Sequence, residues 1–211
     1  MARAAHNADT QAKMTPASAL QALKSGNARF VDKRAEERDH SLNVSQTSGG
    51  QWPFAVVLGC IDSRVPVEVI FDQGIGDVFA ARVAGNFVND DILGSIEYGC
   101  KVAGSKLVVV LGHTGCGAVK GACDNVELGL ITQMLDKLKP AVNAVKTDDG
   151  TDRSSKNAAF VNTVVRKNVE LTVEQMKKDS DVLREMEANG EIDIVGAVYD
   201  VASGKVDFMA T

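Results

Sequence analysis

The sequence predicts an α/β fold: a mostly parallel central sheet with an antiparallel edge strand, flanked by helices and preceded by an N-terminal helical arm. Three observations carry this reading. Residues 54–59, 78–83 and 107–112 are short runs rich in valine and leucine, and their unbroken apolarity fits strands covered on both faces, as in a parallel sheet. Helical patterns separate them, including residues 91–102, so strand and helix alternate as right-handed crossovers require. Residues 192–201 and 205–209 flank Ser203-Gly204, a terminal hairpin whose last strand is expected antiparallel at the sheet edge.

The remaining elements follow from local signals. Thr15-Pro16 joins a hydroxyl cap to a proline at the first helical position. Leu20, Leu23 and Phe30 mark the apolar side of that helix, and Gly26-Asn27 is expected to break it. Residues 32–50 are polar and end in Gly49-Gly50, which reads as a loop or arm over the surface. Ile131, Leu135, Leu138, Val142 and Val145 recur on one helical face. Residues 146–157 are charged and bear Gly and Ser, the composition of a mobile loop. Val161, Val164, Val165 and Val169 begin another helix. Residues 1–14 are expected to be a disordered polar extension, and residues 15–211 a single domain.

Composition narrows the function. With 211 residues, 45% of them hydrophobic, the chain suits one domain with a sizeable core. The net charge of -5 and the scattering of basic residues among acids disfavour a nucleic-acid partner. No apolar run approaches the roughly 18 residues of a membrane span, so no membrane partner is expected. The start of the chain lacks the apolar segment of a secretory leader. That favours a cytoplasmic protein, although a periplasmic or secreted one with its leader trimmed would read the same. Of the four cysteines, no pair has the spacing of a redox dithiol, and Cys100 and Cys123 read as small hydrophobes on helices.

Chemistry concentrates at two strand ends. Gly59-Cys60-Ile61-Asp62-Ser63-Arg64-Val65-Pro66 follows the first apolar run, and Gly112-His113-Thr114-Gly115-Cys116-Gly117 the third. In a parallel sheet both emerge at the carboxyl edge, where open α/β sheets place ligands. Two thiols and an imidazole make a three-ligand zinc set, and catalytic sites keep the fourth position for water. Three roles are open to Asp62: fourth ligand, acceptor toward a zinc-bound water, or surface carboxylate. Arg64 can clamp it through a bidentate pair. The glycines around Cys116 match no nucleotide fingerprint, since Ala118-Val119 stands where a phosphate loop needs Lys and Ser/Thr.

These motifs resemble the β-class carbonic anhydrases, whose Cys-x-Asp-x-Arg and His-x-x-Cys stand here as residues 60–64 and 113–116. The likeness extends through Phe71-Asp72-Gln73-Gly74, Arg82-Val83-Ala84-Gly85-Asn86 and Ser95-Ile96-Glu97-Tyr98, and covers most of the chain from about Thr15 onward. The resemblance implies one Zn2+ per chain on Cys60, His113 and Cys116, with Asp62-Arg64 as the catalytic dyad. It further implies a substrate pocket at Gln51, Phe79, Tyr98 and Gly117. Val57 stands where the bicarbonate-regulated subgroup has Trp, which points to the constitutive, plant-like subgroup.

The implied activity is reversible hydration of carbon dioxide to bicarbonate and a proton by zinc-bound hydroxide. Two thiolates cancel the charge of zinc, so its water is expected to be less acidified than in a three-histidine site, and activity to rise through the mildly alkaline range. His6 and His40 stand in no motif, so no dedicated histidine proton shuttle is expected. The family also implies a homodimer or homotetramer whose pockets draw on both subunits. Two alternatives keep the metal: carbonyl sulfide or carbon disulfide hydrolysis on the same fold, and a non-catalytic zinc protein with a fourth permanent ligand.

Overall fold

A computed structural model describes residues 3–209. In chain order the elements are α1 (Ala8–Ala12), α2 (Pro16–Val31), α3 (His40–Thr47), β1 (Ala55–Gly59), α4 (Val67–Ile70), β2 (Val78–Arg82) and α5 (Asp90–Glu97). After them come β3 (Leu107–His113), α6 (Gly117–Cys123), α7 (Gly129–Asp136), α8 (Lys139–Ala144), α9 (Ala158–Asp179), α10 (Asp181–Ala188), β4 (Asp193–Tyr199) and β5 (Val206–Phe208). A π-helical turn, Tyr98–Val102, continues α5.

The five strands lie in the order β2-β1-β3-β4-β5. All neighbours pair in parallel except β4 with β5, which are antiparallel. The expected sheet and edge hairpin are therefore present. β2 lies on one side of β1 and β3 on the other, so the strand order reverses between β1 and β3. Gly59 at the end of β1 is in register with Leu111, two residues before the end of β3.

Each buried strand feeds two cores because its side chains alternate. Val56, Leu58, Val108 and Val110 join Ile96, Leu138 and the valines of α9 on one face. Ala55, Val57, Leu107 and Val109 join Leu23 of α2 and Ile70 of α4 on the other. Helix α9 seats unusually close to the sheet. A Cβ on Gly112 of β3 would stand 2.7 Å from Val169 Cγ2 and 3.0 Å from Val165 Cγ1, and one on Gly196 of β4 would stand 2.7 Å from Val169 Cγ1. Those two glycines set the depth at which α9 rests.

Four expectations are corrected. The N-terminal segment expected to be disordered carries α1, closed by an Asn7–Thr10 capping box; its Gln11 Nε2 donates to the carbonyls of Pro53 and Ala103, each at 2.7 Å. Residues 1 and 2 lie outside the described residues. Gly26-Asn27 does not break α2, which runs on to Val31. Gly26 instead lets Phe71 approach, since a Cβ there would fall 1.8 Å from the Phe71 carbonyl oxygen. Buried Asn27 bonds Ile70 O and Gly204 O. The polar stretch after α2 contains α3, started by the Asp39 carboxylate accepting from the Leu42 N–H. The single apolar face from Ile131 to Val145 belongs to two helices, because Pro140 near the start of α8 has no N–H to continue the ladder from α7.

A buried ion cluster fastens the N-terminal region to the sheet. Asp72, whose side chain is 2% exposed, accepts from Arg38, from Arg29 Nε at 2.5 Å and from the Glu36 N–H at 3.2 Å. Burial alone would raise its pKa, but the Arg29 and Arg38 bonds prevail and hold it below the usual carboxylate range. The stabilisation is therefore complete above the unfolded-state value of about 4 and is lost as pH falls through the lower folded value. Asp72→Ala, which strands two arginines, is expected to cost about 3–5 kcal/mol in denaturant unfolding at neutral pH, with the difference shrinking in acid. A cost below about 1 kcal/mol would contradict the cluster's role.

Candidate metal centre

β1 ends into a tight turn that carries Cys60, Asp62 and Arg64. The Val65 N–H donates to Asp62 O at 2.9 Å, and the Asp62 carboxylate Oδ1 accepts from the Arg64 N–H at 3.0 Å. Arg64 then returns its side chain to the same carboxylate, Nε to Oδ1 at 2.9 Å and Nη2 to Oδ2 at 2.7 Å. These hydrogen bonds hold Asp62 far below the normal carboxylate range, so it remains an anion and an acceptor at any working pH. Oδ1 already accepts two bonds, which leaves Oδ2 with spare capacity. That oxygen lies 3.8 Å from His113 Nε2.

β3 delivers the other half. His113 is fully buried, and its Nδ1 lies 3.1 Å from Thr114 O. A carbonyl can only accept, so Nδ1 carries the proton and Nε2 presents a lone pair. Thr114 is itself pinned, its N–H donating to Tyr199 O at 2.9 Å and its hydroxyl to Asp200 Oδ1 at 3.1 Å. Gly115 takes a positive φ of 66°, which swings the chain so that Cys116 caps α6. The Ala118 and Val119 N–H groups face the Cys116 sulfur and favour its thiolate.

Sulfur of Cys60, sulfur of Cys116 and the ring nitrogen of His113 all lie within 4.8 Å of one another, and all three residues are buried. His113 Nε2 has no hydrogen-bond partner. An orphaned buried acceptor is costly, and two thiols with one imidazole form a soft set suited to zinc. These residues fit a metal ion. Asp62 is not a member of the set, so among the described residues the group offers three protein donors and not four.

The two thiols are also coupled. Cys60 is held low by a hydrogen bond from the Cys116 thiol, despite burial, with help from His113 and the Gly85 N–H; Cys116 is pushed up because its proton is engaged by Cys60. The pair therefore keeps one proton between two sulfurs when no cation is present.

The other expected site residues stand apart from this group. Phe79 and Tyr98 meet edge to face with centroids 6.2 Å apart, and with Val56, Ala81 and Ile92 they line a cavity of about 610 Å³. No residue of the metal group lines that cavity. Gln51 is exposed just before β1, and Gly117 is exposed at the start of α6. Within one chain the structure brings Gly117 to the metal group but not Gln51, Phe79 or Tyr98.

Sequence reasoning missed the residues that hold the ligands in place. Arg82 donates through Nε to Cys60 O at 2.8 Å and through Nη2 to Asp62 O at 2.7 Å. The Gly85 N–H donates to Cys60 Sγ at 3.4 Å. The one available signal was an arginine closing the β2 run.

The comparisons now have a geometry to rest on. The carbonic anhydrase family matches residues 55–206. Carbonic anhydrase 2 of Mycobacterium tuberculosis is 37% identical over 196 residues, covering 90% of this chain and 91% of that protein. A carbonic anhydrase of Mycolicibacterium smegmatis is 38% identical over 203 residues, covering 91% and 92%. Among solved structures, one of the tetrameric β-carbonic anhydrases of Sordaria macrospora superposes with a TM-score of 0.69 at 25% identity, covering 92% of this chain and 98% of that one. The chain belongs to the β-carbonic anhydrase family. It is accordingly an enzyme of the lyase class.

Because metal ligation needs both sulfurs as thiolates, zinc added to the metal-free chain near pH 8 is expected to release about one proton per chain, not two. Calorimetry in buffers of different ionisation heat measures this. Release of none or of two would contradict the shared proton.

Proposed function

We propose that this protein catalyses the reversible hydration of carbon dioxide to bicarbonate and a proton, with one Zn2+ held by Cys60, His113 and Cys116. The observation that carries the proposal is the three-donor group with the Arg64-clamped Asp62 carboxylate beside it, at 3.8 Å from His113 Nε2. Zinc, when bound, supplies the Lewis acidity that brings a water toward ionisation near neutral pH.

The chain's own residues then select and orient. Asp62 cannot donate, because Arg64 keeps it anionic; it accepts a hydrogen bond from the reacting oxygen and so fixes where that oxygen's proton points. Arg64, with its side chain 52% exposed, keeps the carboxylate from turning into the metal's open corner. The Gly117 N–H lies in the first turn of α6, where helix donors have no intrahelical partner, and is placed to donate to a bicarbonate oxygen. As the carbon–oxygen bond forms, the proton passes to solvent and buffer.

The reading includes self-association as a homodimer or homotetramer. Tyr98 is 51% exposed beside the edge strand β2, and a second copy docked there would bring Gln51, Phe79 and Tyr98 to the metal centre they do not reach alone. The tetrameric relatives of Sordaria support this. Val57, buried in β1, supports the constitutive subgroup.

Zinc content per chain and stopped-flow CO2 hydration, measured together on the parent and on Cys60→Ala, test the proposal. The parent is expected to carry one zinc and to be active, and the variant to lose both. Full activity in the variant would refute the assignment.

A further inference from the structure

The ligand-bearing loops have no regular structure of their own, yet each is tied by one asparagine of α9. Gly115, between His113 and Cys116, donates its N–H to Asn162 Oδ1 at 3.2 Å. Gly85, whose N–H reaches Cys60 Sγ, receives at its carbonyl a hydrogen bond from Asn168 Nδ2 at 2.8 Å. Both glycines have positive φ, 66° and 84°, a conformation in which loops need external partners to stay fixed. Asn168 is buried at 4% exposure, and Asn162 is half-buried.

We propose that Asn162 and Asn168 are positioning residues, which set the separation of the Cys60 sulfur from the His113–Cys116 loop and so set the affinity of the metal centre. The inference rests on zinc as the resident ion. Between the two asparagines, Val165 packs on Gly112, and just past Asn168, Val169 packs on both Gly112 and Gly196. That close seat gives α9 a fixed height above β3 and β4. Its side-chain amides then act as two pegs from a rigid bar, one accepting and one donating. Asn162 takes hold of the loop that carries a nitrogen and a sulfur ligand. Asn168 acts through Gly85 on the remaining sulfur. Neither asparagine touches the donor atoms themselves.

The opposite polarity of the two bonds supplies the test. Asn162→Asp keeps an acceptor for the Gly115 N–H, whereas Asn168→Asp places an oxygen against the Gly85 carbonyl and removes the donor. Size and added charge change identically in both, so a merely structural or electrostatic role moves the two variants together. Zinc affinity is read by chelator competition, and donor geometry by the thiolate-to-metal absorption of the cobalt(II)-substituted protein. Asn168→Asp is expected to bind zinc at least about tenfold more weakly than Asn162→Asp, the size of effect usual for groups that orient ligands, with an altered cobalt spectrum. A smaller difference with matching spectra would overturn the proposal.

Should Asn168→Asp not fold, Asn162→Ala against Asn162→Asp replaces it, with the same tenfold expectation and equal affinities overturning the proposal. Thr172→Val, buried one turn beyond Asn168 and bonded to neither loop, is expected to leave affinity within about twofold of the parent, well inside the range that ligand-orienting groups produce. The parent is measured first. If it binds no zinc, the functional reading falls and this inference with it; if it binds zinc while the paired variants agree, only the positioning role falls.

Discussion

The parallel pairing of β1 with β3 is the constraint on which the metal centre depends. Adjacent parallel strands must end on the same side of the sheet, and the register Gly59 to Leu111 leaves Cys60 and His113 on neighbouring exits. The order β2-β1-β3-β4 sends the following chain away in opposite directions from those exits, opening the crevice in which open α/β sheets bind ligands. Neither the Cys60 turn nor the His113–Cys116 loop could form a site alone, since each supplies at most two donors. The sheet joins them.

Two kinds of polar group meet at this crevice, and burial separates their tasks. The thiols and the imidazole are almost wholly enclosed, where an unpaired donor atom is expensive and a cation is the natural partner. Asp62 and Arg64 lie nearer the surface. An ion pair so exposed adds little to stability; what it adds is orientation, because three hydrogen bonds leave the carboxylate one arrangement. The same economy holds at the far end of the chain, where Asp72 is enclosed and its arginines contribute to stability.

Much of this was legible in the sequence, and the exceptions share a cause. Apolar runs located all three inner strands to within about one residue of their ends, and with them the ligands, because periodicity and strand burial are local properties. The terminal hairpin was legible through Ser203-Gly204. Gly26 was misread as a helix break, since its purpose, close approach by Phe71, concerns a residue 45 positions away. Asn162, Asn168 and Arg82 were invisible for the same reason: each acts on a loop distant in sequence. Pro140 did carry a local signal for the split between α7 and α8, but the apolar periodicity outweighed it. The roles of Gln51, Phe79 and Tyr98 cannot be read from one chain if they are completed by a second.

The central claim is that this chain presents two sulfurs and one imidazole nitrogen, and no fourth protein donor, to one zinc ion. X-ray absorption at the zinc edge on the loaded protein tests it most directly. The account predicts two sulfurs near about 2.3 Å and two lighter atoms near about 2.0–2.1 Å, one an imidazole nitrogen and the other lost when an exogenous anion displaces it. A shell of three or four sulfurs, or one that no added anion alters, would contradict it.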